Sequence, residues 1–140
     1  MIVVDTNVAS ELMRPTPSPP VVAWVRARRA SELYATSVTI AEVLYGIERL
    51  AESRRKDLLG VAATDVFSAF ADRVLSFDAK AAVQYAAIVA ARERAGAPIS
   101  GFDAQIAAIC RVRDATLATR NIKDFHDTGI TVVDPWLDRV

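Results

Sequence analysis

Four acidic side chains of this sequence stand where a lone charge is costly. They are Asp5 in Val-Val-Asp-Thr-Asn, Glu42 in Thr-Ile-Ala-Glu-Val-Leu, Asp103 in Ser-Gly-Phe-Asp-Ala-Gln-Ile and Asp124 in Asn-Ile-Lys-Asp-Phe. Their neighbours are mostly apolar or small, so each carboxylate needs a partner or a cation. Taken singly, each has a structural reading. Thr39 with Glu42, Ser100 with Asp103 and Asn121 with Asp124 share the spacing of a helix capping box, and Asp5 can cap the helix that follows it. Taken together they point elsewhere. Two carboxylates ~4 Å apart repel by about 4 kcal/mol at an effective dielectric near 20, so a cluster without a cation is destabilising. An all-oxygen set lacking Cys and His selects a hard ion, Mg²⁺ or Mn²⁺. Such an ion activates water and stabilises both oxygens of an in-line displacement at phosphorus. Phosphodiester hydrolysis is the chemistry to expect.

Other chemistries are poorly served. The sequence holds no phosphate-binding glycine loop and no dinucleotide fingerprint. His126 is the single histidine and lies in a polar run, where it reads as a surface residue. Asp5-Thr6-Asn7 lacks the second acid that an aspartyl-phosphate mechanism uses as its general acid. Cys110, the one cysteine, sits among Ile106, Ala107 and Ile109 and reads as a core thiol; alone it excludes an internal disulfide and fits a reducing compartment.

The four acids must be brought together by the elements that carry them. Ile2 to Val4 is a β-branched run of the kind buried in a parallel sheet, and Asp5 follows at its carboxyl end, the edge where open α/β sheets bind ligands. A helix starting at Thr6 or Asn7 runs to Pro15, and four prolines between Pro15 and Pro20 make a stiff connector. Helices are expected over Val21–Arg29, Thr39–Leu50, Leu58–Phe70, Ala79–Ala95 (capped by Asp78) and Ser100–Arg113. Strands are expected at Leu33–Thr36, Val74–Phe77, Thr116–Ala118 and Ile130–Val133. This alternation defines an α/β class with a mainly parallel sheet, in a single domain spanning residues 1–140. Asp5 and Glu42 then share one sheet edge, and Asp124 follows its strand in the same sense. Periodicity does not say which edge Asp103 faces.

The 17 basic and 17 acidic residues cancel, so overall charge leaves no nucleic-acid or membrane footprint. No apolar run approaches the ~18 residues of a membrane span, and the N-terminus lacks the features of a signal peptide, so the cytoplasm is the expected location. Arginine outnumbers lysine strongly; Arg111, Arg113 and Arg120 are candidates to hold a phosphate backbone, although salt-bridge roles suit them too. Trp24, Leu44 and Tyr45 could serve a partner, but core burial is the expectation for each, and Trp136 is expected to pack on the sheet.

Four blocks in order resemble a PIN-domain ribonuclease, and more narrowly the VapC toxins of bacterial toxin–antitoxin pairs, FitB-like subgroup. They are Ile2-Val-Val-Asp-Thr-Asn-Val8, Ser37-Val-Thr-Ile-Ala-Glu-Val-Leu-Tyr-Gly-Ile-Glu-Arg-Leu50, Ile99-Ser-Gly-Phe-Asp-Ala-Gln-Ile-Ala-Ala108 and Leu117-Ala-Thr-Arg-Asn-Ile-Lys-Asp-Phe125. The resemblance implies a three-layer α/β/α fold and a Mg²⁺- or Mn²⁺-dependent endoribonuclease. It assigns metal-site roles to Asp5, Glu42 and Asp103, and it puts Asp103 on the shared edge. Thr6 and Thr119 would border the site. Some relatives have an acid where this chain has Asn121, so the fourth position falls either to Asp124, working through water, or to the Asn121 amide. The resemblance also implies a homodimer, silenced by a cognate antitoxin of the VapB or FitA type and assembled with it on operator DNA. In the expected mechanism Asp5 and Asp103 bind the metal, while Glu42 and Asp124 complete the pocket and orient the attacking water toward an RNA phosphodiester. The alternatives are a PIN-fold binding module with a weak or dead site, acting with a DNA-binding antitoxin, and a metal phosphatase of small molecules.

Overall fold

The computed structural model describes residues 1–138. Five short strands form one sheet: β1 (Ile2–Val4), β2 (Leu33–Thr36), β3 (Val74–Leu75), β4 (Thr116–Ala118) and β5 (Val132–Val133). Their order is β3-β2-β1-β4-β5, and every neighbouring pair is parallel. Six helices connect and cover them: α1 (Thr6–Leu12), α2 (Pro19–Arg26), α3 (Ser37–Glu48), α4 (Arg54–Ser68), α5 (Ala79–Arg94) and α6 (Gly101–Arg113).

Side chains alternate across a strand, so each sheet face has its own core. Val3, Leu75 and Leu117 point to one face and pack with Ile88 of α5 and with Ile106 and Ile109 of α6. Val4, Leu33, Ala35 and Ala118 point to the other, where they meet Val8 of α1 and Val21 and Trp24 of α2. A smaller cluster of Ala9, Met13, Val43 and Ala63 joins α1, α3 and α4. These three layers are the α/β/α arrangement that the resemblance implies. Trp24 is fully buried, as expected. Trp136 is partly buried and packs on the second cluster. Leu44 and Tyr45 depart from expectation: both are exposed, Tyr45 by two thirds, because they fall on the outer face of α3.

Several boundaries differ from the sequence reading, each for a local reason. The helix α2 starts at Pro19 rather than Val21, since a proline in the first turn has its φ already set for the helix and no N–H to lose. Ser53 caps α4 by accepting from the Lys56 amide at 3.1 Å, so the charged stretch after it forms the first turn and the helix starts at Arg54, not Leu58. Asp78 caps α5 as expected, accepting from the Ala81 amide at 2.9 Å. The β3 and β5 strands are two residues each, shorter than the apolar runs that hold them. Among the described residues, no helix is long and apolar enough to cross a membrane.

Candidate active site

The sheet register builds the site. The β1–β4 pairing sets Val4 beside Ala118, so the next residues, Asp5 and Thr119, meet where both strands end. The Asp5 amide donates to the Ala118 carbonyl at 2.9 Å and the Thr119 amide to the Val133 carbonyl at 2.9 Å. The Thr119 hydroxyl then donates to Asp5 Oδ2 at 2.8 Å, and the Thr6 amide donates to Asp5 Oδ1 at 2.8 Å. Asp5 therefore does cap α1, while its carboxylate also faces the sheet edge.

Glu42 does not cap anything. The cap of α3 is Thr36, whose hydroxyl accepts from the Thr39 amide at 3.0 Å. The expected Thr39–Glu42 capping box is absent, because the helix starts one turn earlier than that reading placed it. Glu42 instead accepts a 2.8 Å bond from the Thr6 hydroxyl, which also lies 3.2 Å from the Thr39 hydroxyl. Ser100 caps α6 by accepting from the Asp103 amide at 3.2 Å, and the Asp103 side chain stays half-buried.

Charge coupling ties three of the acids together. Burial is the main force on all three and raises each carboxyl above its ordinary value. Asp5 is pushed up to about 6; its bonds from Thr119 and the Thr6 amide pull back, and the charges of Asp103 and Glu42 add to the rise. Glu42 is raised by burial and by Asp103 against the Thr6 bond. Asp103 is raised by burial and by Asp124, against the pull of Ser100 and of Arg92. Asp5, Glu42 and Asp103 thus share one edge, including the residue whose edge periodicity left open.

Asp124 is brought near only in part. It is exposed on the 3₁₀ turn Ile122–Phe125 and makes its charge felt at Asp103, with no such effect on Asp5 or Glu42. Asn121 is also exposed and forms no side-chain cap; its backbone N–H donates to the Thr119 hydroxyl at 3.1 Å. Neither completes a ring of four acids. Among the described residues no three of His, Cys, Asp or Glu stand close enough to enclose an ion by themselves. The set suits a hard ion that keeps much of its water and takes one or two carboxylates.

Asn7 and Thr39 are site residues that the sequence reading passed over. The Asn7 amide nitrogen donates to Thr119 Oγ1 at 3.1 Å and to Asp5 Oδ2 at 3.3 Å, and its oxygen accepts from the Arg120 amide at 3.1 Å. Their signal was present in Asp-Thr-Asn and Ser-Val-Thr, but both triplets also read as ordinary helix starts. The Arg120 guanidinium lies 4.9 Å from the Trp136 ring centre at the rim. Cys110 is buried and its thiol is pushed up to about 12 by burial and by Asp5, so it is inert at neutral pH. His126 is exposed, as expected.

A parallel sheet in this order, with carboxylates at the end of β1, in α3 after β2 and at the start of α6, describes a family. The chain belongs to the PIN-domain family, whose pattern matches residues 2–130. It is 34% identical to the VapC ribonuclease Y4jK of Sinorhizobium fredii over 97% of this chain and 98% of that protein. It is equally similar, at 34%, to Toxin FitB of Neisseria gonorrhoeae, over 99% of this chain and 100% of that one. The solved structure of FitAB bound to a DNA fragment contains a chain that matches with a TM-score of 0.91 at 33% identity, covering 100% of this chain and 99% of that one.

Proposed function

We propose that this chain is the toxin of a type II toxin–antitoxin pair, an endoribonuclease that hydrolyses RNA phosphodiester bonds with Mg²⁺ or Mn²⁺. The observation that carries the proposal is the placement of Asp5 at the end of β1, with its carboxylate held by Thr119 and Thr6 and with Glu42 bonded to that same Thr6. Burial raises both carboxyls and that of Asp103, and the charge of Asp103 raises Asp5 and Glu42 further, a load that a cation would relieve. The names of the full-length relatives, a VapC ribonuclease and a FitB toxin, support it.

In this reading Asp5 and Asp103 hold the ion, with Glu42 beside them. The ion supplies positive charge for the phosphate and lowers the pKa of water. Thr119 and Asn7 keep the Asp5 carboxylate aimed outward from the end of β1. Thr6 holds Glu42, which orients the attacking water and accepts its proton; the raised carboxyl makes it a better base than an exposed one. Asp124, at the open side, acts through water. Arg120, held by its amide to Asn7 and lying against Trp136, contacts the RNA backbone at the rim. An antitoxin of the VapB or FitA type silences the site, and the pair, with two toxin copies, sits on operator DNA; the structure of FitAB bound to a DNA fragment supports the antitoxin and the DNA-bound complex. A groove lined by Met13, Val43, Ile47, Leu50 and Leu59 opens beside Thr6 and Glu42 and gives the antitoxin an apolar seat next to the acids. Such a toxin acts in the cytoplasm, where its RNA is.

The test is cleavage of a mixed RNA pool by antitoxin-free protein. Cuts that need Mg²⁺ or Mn²⁺ and stop with EDTA are expected. Folded protein that binds the ion and leaves every RNA intact would favour the binding-module alternative.

A further inference from the structure

Arg92, in the last turn of α5, is 7% exposed, so its charge is almost wholly withdrawn from water. A buried arginine ordinarily answers a carboxylate. This one answers backbone carbonyls. Its Nε donates to the Ala97 carbonyl at 2.6 Å, and its Nη1 donates to those of Asp124 at 3.0 Å and His126 at 2.8 Å. Among the described residues no carboxylate lies within ion-pair distance of it. The carbonyl between the two on the turn, that of Phe125, accepts from the buried Thr128 hydroxyl at 2.6 Å. Three successive carbonyls at the end of the 3₁₀ turn are therefore held by side chains, two of them by a single guanidinium. The other end of that guanidinium grips the α5–α6 loop, three residues before the Ser100 cap that leads α6 to Asp103.

We propose that Arg92 is a positioning residue: by spanning the carbonyls of Ala97, Asp124 and His126 it fixes the turn that carries Asp124 against the loop that leads into Asp103. Arg92 touches neither substrate nor metal. Its planar fork sets the distance between two acids that come from segments far apart in sequence. Lysine, a point charge with no fork, cannot hold both segments in the same geometry. Helix α5 thereby acquires a part in the reaction although it contributes no side chain to the pocket. The catalytic consequence rests on the ribonuclease reading, but the mechanical one does not.

The experiment uses the full chain with Arg92→Gln, and Arg92→Lys as the milder change should Arg92→Gln not fold. Amide hydrogen exchange is followed along the chain, and kcat and KM for RNA are measured at saturating Mn²⁺. Faster exchange is expected over residues 121–128, with β1 and β4 amides still protected. For RNA, kcat is expected to fall ~10-fold or more while KM stays within ~3-fold. In an Asp124→Asn background the same change is expected to lower kcat by less than ~2-fold, because both act through one turn. Unchanged exchange over 121–128 overturns the proposal, as does a wild-type kcat in folded Arg92→Gln protein or a loss that multiplies fully with Asp124→Asn. If the wild type itself cuts no RNA, the ribonuclease reading fails, and the exchange pattern still decides whether Arg92 holds the turn.

Discussion

At the scale of the residue, Asp5 shows how a site trades stability for reactivity. Its carboxyl titrates near 3.8 when exposed and at about 6 in the fold, chiefly because burial disfavours the charge. Between those values the unfolded chain has released the proton and the folded chain keeps it. Metal-free stability from this group therefore falls as pH rises from about 4 to 6 and stays lower above, by on the order of 3 kcal/mol. Asp5→Asn removes that penalty. Urea denaturation without metal should find the variant more stable than wild type at pH 7.5, with the gap closing below pH 4; a gap independent of pH would show that the penalty does not come from this ionisation. The hydroxyl of Thr119 works against the same penalty, so Thr119→Val is expected to cost about 1–3 kcal/mol at neutral pH, and Thr119→Ser far less, in the same denaturation assay. Asp5, Glu42 and Asp103 were legible in the sequence because a carboxylate among apolar neighbours has few inexpensive explanations. Arg92 was not. In Ala-Arg-Glu-Arg at a helix end an arginine reads as solvated, and nothing local reveals that its acceptors lie up to 34 residues away.

At the scale of the element, capping decides which helix start the chain uses and which acids are left without a capping role. Thr36, not Thr39, starts α3, and that single shift releases Glu42 from a capping duty and leaves it to Thr6. Thr36→Ala should lower stability by about 1 kcal/mol through the lost cap. Glu42→Ala should change stability by less than ~0.5 kcal/mol in metal-free protein, since no cap depends on it and the lost Thr6 bond is offset by relief of burial and of repulsion from Asp103, while RNA cleavage is lost. Thermal or urea unfolding beside the cleavage assay separates the two, and a large loss of stability in Glu42→Ala would restore the capping box. That ambiguity displaced the expected start of α3. A Ser or Thr three residues before an acid is a real signal, but two threonines three apart offer two starts, and only packing selects one. Strand existence was readable from apolar runs. Strand length was not, since β3 and β5 each pair with a longer neighbour, β2 and β4, over only two residues.

At the scale of the whole molecule, the site exists because β1 lies between β2 and β4. That order brings together residues 5, 36 and 119, and no local pattern encodes it; the parallel pairing spans more than a hundred residues between β1 and β4. The resemblance to the PIN family supplied what periodicity could not, the edge on which Asp103 falls. If Asp5 and Asp103 hold an ion as proposed, a divalent ion should stabilise the fold by mass action. At ~100 times its dissociation constant Mn²⁺ should add about 2.7 kcal/mol, seen as a higher Tm in wild type and a much smaller rise in Asp5→Asn. The central claim is that RNA is cut at the Asp5 edge. The measurement that tests it most directly is RNA cleavage by wild type and Asp5→Asn, purified side by side without antitoxin and assayed at saturating Mn²⁺. Loss of ~100-fold or more in the folded variant is the predicted result; equal rates from the two proteins would place the activity elsewhere and contradict the assignment.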